Sequence, residues 1–121
     1  MRIEVSIGEA ADKYTILFIK KSKLINIDQL FNVNKESVLL MEELRKVTGL
    51  LEDDLITQLL DVNNKLWHIE DEIRQLEEEK DFGEHFIATA RMVYKLNDER
   101  YKIKQLINAT YNSDLTEEKS H

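Results

Sequence analysis

The sequence predicts an all-α fold: an antiparallel helical hairpin of two long helices, about 51–80 and 84–110, packed with one or two shorter N-terminal helices. Three observations point there. Proline is absent and glycine occurs three times, at Gly8, Gly49 and Gly83, which leaves too few turns for a sandwich, a barrel or a doubly wound sheet. Apolar residues recur at spacings of three and four, as Leu66, Ile69, Ile73 and Leu76 in one stretch and Phe86, Ala90 and Val93, then Leu96, Ile103 and Ile107, in the next. Between the two stripes lies Asp81-Phe82-Gly83, a segment short enough to reverse the chain.

With 121 residues, 42% of them hydrophobic, the chain can bury one core, and residues 1–121 read as a single helical domain. Cysteine is absent, which excludes disulfides, thiol nucleophiles and cysteine-based metal sites. No apolar run resembles a signal peptide or approaches the roughly 18 residues of a membrane span, so a cytoplasmic location is expected. The net charge of −7 opposes nucleic-acid binding, which runs on phosphate neutralisation. That charge is uneven. Residues 1–23 hold five basic side chains (Arg2, Lys13, Lys20, Lys21, Lys23) against three acidic ones (Glu4, Glu9, Asp12), a net of +2, so the remainder must carry −9.

Taken in order, residues 2–5 alternate and read as a short extended lead-in. Ser6-Ile7-Gly8-Glu9 matches a capping box, starting a first helix over about Ile7 to Leu24 that buries Ala10, Ala11, Tyr14, Leu17 and Phe18, with Ile25 beyond it. Residues 26–35 contain three asparagines and read as a loop pinned to the core by Leu30, Phe31 and Val33. A second helix runs from Glu36-Ser37 to Val47, with Gly49 in the left-handed position that ends it. The third helix covers about 51–80 along a heptad-like, coiled-coil stripe of Leu55, Leu59, Val62, Leu66, Ile69, Ile73 and Leu76. At 1.5 Å per residue it spans about 45 Å, more than a domain this small needs. Either it breaks at Asp61-Val62-Asn63-Asn64, or it projects and pairs with a second copy, and a homodimer is expected. The fourth helix covers 84–110, and residues 111–121 form a polar tail expected to be mobile.

Plotted at 100° per residue, the fourth helix places Asn97, Arg100, Lys104 and Asn108 in its apolar sector, and charges set there must be paired or hydrated. In a hairpin turning at 81–83, residues whose numbers sum to about 165 face one another. Arg100 then faces Asn63 to Trp67, Lys104 faces Asp61, and Glu70 is the nearest internal partner for Arg100. A side stripe of Ile56, Leu60, Asn63, Trp67, Glu70 and Arg74 flanks the third helix. Trp67, Glu70, Arg74, Tyr94, Asn97, Arg100 and Lys104 therefore form the candidate ligand-binding cluster, with Arg100 and Lys104 offering donors to an anionic group and Trp67 a stacking surface. The competing reading is a satisfied buried network, or a dimer seam whose polar residues fix register.

Catalytic and metal templates find little support. His68, His85 and His121 are scattered, and Glu77-Glu78-Glu79 cannot all face one ion. Glu9-Ala-Ala-Asp12 sets two carboxylates on one helix face, as in magnesium-dependent all-helical pyrophosphohydrolases, but the second pair those enzymes need has only Glu78 to Asp81 as a counterpart, at a helix end. No catalytic motif is found, no metal or cofactor is expected, and an enzyme is the less favoured class.

Three segments resemble a family of short bacterial proteins classed as a domain of unknown function. They are Gly8-Glu9 with Asp12-Lys13, Thr15-Ile16-Leu17 and Ile19-Lys20; Leu66-Trp67, Ile69-Glu70-Asp71 and Ile73-Arg74; and Phe86-Ile87, Ala90-Arg91, Val93-Tyr94, Asn97-Asp98 and Arg100. Lys104, Ile107-Asn108 and Glu118-Lys119-Ser120 extend the match, while Phe18 stands where that family suggests a charged residue and His121 where it suggests an aromatic. The resemblance implies an all-helical cytosolic protein, and relatives lying beside surface-polysaccharide glycosyltransferases imply a setting. Two functions are expected: a homodimeric, non-enzymatic interaction module, an adaptor in surface-polysaccharide metabolism with a protein partner; or a binding domain or weak enzyme using the Trp67, Glu70, Arg100 and Lys104 cluster on an anionic small molecule such as a nucleotide sugar.

Overall fold

The computed structural model describes residues 1–113 and 115. Among the described residues four helices follow in order: α1 (Ile7–Lys23), α2 (Ile27–Leu44), α3 (Asp54–Glu78) and α4 (Glu84–Thr110), with a 3-10 turn, Leu50–Glu52, before α3. The capping residue expected for α1 is in place, since Ser6 Oγ accepts from Glu9 N–H at 3.0 Å.

The fold is all-helical as expected, and the two long helices α3 and α4 pack against each other. α3 is continuous through Asp61–Asn64, beginning three residues later than the periodicity suggests because Leu50–Glu52 takes the tighter turn. Its N-cap is Asp53, whose Oδ1 accepts from Leu55 and Ile56 N–H, while the Tyr111 hydroxyl donates to its Oδ2. Two contacts show the antiparallel arrangement: His85 Nε2 meets Glu72 Oε1 at 2.5 Å near the tip, and Tyr111, just past α4, reaches Asp53, just before α3, at the other end. Lys80, at φ 55°, supplies the left-handed residue that closes α3, with Asp81 N–H bonding to Leu76 carbonyl at 2.9 Å. Gly83 instead precedes α4 in extended conformation.

Two expectations for the N-terminal half are overturned. Residues 26–35 are not a loop but the first half of α2, because Asn26 is its N-cap, accepting from Gln29 N–H at 3.0 Å. Gly49 does not take the left-handed position; it has φ −86°, and Leu50 takes it at φ 53°.

The core joins Ala11 and Tyr14 of α1, Leu44 of α2, Ile56, Leu59, Val62 and Leu66 of α3, and Leu96, Ile103 and Ile107 of α4. α1 lies across the open end of the hairpin and touches both arms, whereas α2 packs chiefly on α1. Phe18, Ile25 and Phe31, expected in the core, are exposed because no other described residues lie outside α1 and α2 to cover them. Of the tail expected over 111–121, residues 111–113 and 115 are described and the rest lie outside the described residues; Ser113 Oγ accepts from Ile7 N–H at 3.0 Å.

Candidate functional site

The polar sector of α4 meets α1. Asp12 occupies the inward face of α1 between Ala11 and Thr15, and its side chain is 2% exposed. Arg100 grips it with both forks of its guanidinium, Nε to Oδ1 at 2.8 Å and Nη2 to Oδ2 at 2.5 Å. From α3, Asn63 Nδ2 donates to Asp12 Oδ1 at 2.8 Å and to Thr15 Oγ1 at 2.9 Å, while the Thr15 hydroxyl donates to Asp12 carbonyl. One turn earlier on α1, Glu9 Oε2 accepts from Lys104 Nζ at 2.9 Å, and that ammonium also lies 4.0 Å from Asp12 Oδ2. Three helices thus converge on one carboxylate. Asp12 and Lys104 are buried and each is paired, while Arg100 and Glu9 keep one edge in solvent, so neither buried charge is left uncompensated.

The seam requires close approach at the start of α1. Gly8 N–H donates to Asn108 Oδ1 at 2.7 Å, and a Cβ on Gly8 would stand 2.5 Å from Lys104 carbonyl oxygen. Only glycine lets the two backbones come so near. Asn108 Nδ2 is buried and has no hydrogen-bond partner among the described residues.

The structure splits the cluster expected from sequence. Asn97, Arg100 and Lys104 belong to the seam, Asn97 Oδ1 lying 3.4 Å from Arg100 Nη1. Trp67 is half-buried on the hairpin arm, Glu70 and Tyr94 are exposed there, and Arg74 pairs with Asp71 at 3.2 Å. Neither expected internal partner holds: Arg100 binds Asp12 rather than Glu70, and Lys104 binds Glu9 rather than Asp61, which pairs with Lys65 on its own helix. Both corrections share a cause. The hairpin register names only residues of the hairpin, and the acids come from α1, some ninety residues away in sequence. The Glu9 to Asp12 spacing was the signal that could have found them.

Glu9 and Asp12 do share a face, yet the neighbouring helix brings Arg100 and Lys104 to it instead of a second carboxylate pair. A divalent ion between them would meet fixed positive charge, so the arrangement favours a structural ionic lock over the metal chemistry of the pyrophosphohydrolases. Among the described residues no helix is long and apolar enough to cross a membrane.

Two segments carrying the family resemblance, one on α1 and one on α4, meet in this seam. A family model for a family of unknown function, DUF6165, matches residues 1–121. No curated protein and no solved structure matches the chain.

Proposed function

The chain belongs to the DUF6165 family of unknown function, and from that premise we propose that it is a non-enzymatic helical interaction module that works as a homodimer. One observation carries this: α2 is apolar on both sides. Leu30, Val33 and Leu44 turn inward, while Ile27, Phe31 and Val38 recur within 40° on the outer face, the first two 82% and 69% exposed. Isolated exposed apolar residues are ordinary; a stripe of them on one helix marks a contact surface. The seam adds support, since Arg100 and Lys104 hold Asp12 and Glu9 and so seat α1 on the hairpin. A cytoplasmic adaptor in bacterial surface-polysaccharide metabolism is the setting that the family resemblance supports. Light scattering tests the association: the mass should approach twice the 14.3 kDa chain at high concentration, and Phe31→Lys should return it to one chain. A wild-type mass of 14.3 kDa at every concentration contradicts it.

A second reading draws on the 29% exposure that the Arg100 side chain retains, beside Asn97 and with Trp67 across the arm by register. There an anionic ligand such as a nucleotide sugar would meet the guanidinium edge and an aromatic face, with Glu70, Arg74 and Tyr94 further out. A thermal-shift panel of nucleotides and sugar phosphates tests it, specific binding being worth more than about 1 kcal/mol at saturating ligand.

A further inference from the structure

The two ends of the hairpin differ in chemistry. At the tip, α3 closes on Glu77, Glu78 and Glu79, with no basic residue in its last turn, and Lys80, Asp81 and Glu84 follow, so carboxylates outnumber the one lysine there. Carboxylates there reinforce the negative end of the helix dipole, an arrangement that a cation from elsewhere would relieve. Phe82 stands 55% exposed among them, edge-on to Phe86 at 5.3 Å between ring centres.

At the open end the chemistry is inverted. α1 closes on Lys20, Lys21 and Lys23, followed by Ile25, 93% exposed, and Ile27. Phe18, 41% exposed, lines a groove against α3 with Ile19 and Leu60. Among the described residues no ion pair engages these three lysines, nor Glu77 or Glu78. The groove meets α3 between Thr57 and Asn64, so the tip lies roughly 20–30 Å further along that helix, and a chain cannot bring its own tip to its own base.

We infer, deepening the self-association proposed above, that the apolar surface of Phe18, Ile25 and Ile27 receives the hairpin tip of a second copy. Phe82 seats on it while Glu77, Glu78 and Glu79 face Lys20, Lys21 and Lys23. The same contact repeated by a two-fold axis closes an antiparallel dimer and leaves neither end open. Its charges steer the encounter and make it sensitive to salt.

Charge exchange tests the pairing by sedimentation velocity on the full chain. Wild type should dimerise at low salt and dissociate as salt rises. The reversals Lys20→Glu with Lys21→Glu and Lys23→Glu, and separately Glu77→Lys with Glu78→Lys and Glu79→Lys, should each give monomers with wild-type helical circular dichroism. An equimolar mixture of the two should dimerise again, because both contacts become complementary. Phe82→Ser, in an exposed turn, supplies a variant without charge change and should weaken association by about tenfold or more. If both reversed chains dimerise as wild type does, these surfaces are overturned and self-association stands. If wild type is a monomer at every salt and concentration, both fall.

Discussion

Asp12 and Arg100, 88 residues apart in sequence, are joined by two hydrogen bonds of 2.8 and 2.5 Å, with the carboxylate all but sealed from water. Arg100→Leu should therefore cost about 3–5 kcal/mol in urea unfolding, because it strands a buried charge. Replacing both residues with leucine should recover most of that loss, since an apolar pair carries no desolvation penalty. Equal destabilisation by the single and double variants would mean that the contact is not an ionic lock.

Glu70 provides the contrast. It is exposed on the arm and makes no contact with Arg100, so Glu70→Leu should stay within about 0.5 kcal/mol of wild type in the same measurement. A loss of several kcal/mol would return the hairpin partner to the account.

What the sequence showed and what it hid follow from the range of each interaction. Leu59, Val62 and Leu66 announce α3 because a helix repeats its own face locally, and Arg100 and Lys104 stand out because a charge at a core angle breaks that repeat. The partner of such a charge is set by how α1 crosses the hairpin, a long-range packing choice that periodicity does not encode. The first half of α2 was hidden for another reason: Phe31 and Ile27 make its pattern apolar on two faces, and Asn26 reads as loop or cap alike.

Gly8→Ala should destabilise the chain by about 1–3 kcal/mol, because its Cβ would meet Lys104 carbonyl oxygen at 2.5 Å and Asn108 Oδ1 at 2.9 Å, and backbone cannot rotate aside. Thermal unfolding measures this. An unchanged midpoint would show that α1 can shift away from α4 without cost.

Alkaline stability should depend on Tyr14. Burial raises its phenol above the ordinary 10.0, with the nearby Arg45 charge pulling the other way. A folded-state value above the unfolded one means that the contribution is complete below pH 10 and is lost as pH rises through the folded value. Tyr14→Phe should flatten the fall in unfolding free energy above pH 10. An identical alkaline slope in the variant would place that loss elsewhere.

Amide hydrogen exchange, compared on the wild-type chain at low and high concentration, reports directly which faces are given to a partner. Self-association predicts slower exchange at high concentration along the end of α1, the outer half of α2 and the tip around Phe82, with the Asp12–Arg100 seam protected equally at both. The same exchange pattern at both concentrations, or new protection confined to Trp67, Asn97 and Arg100, would contradict it.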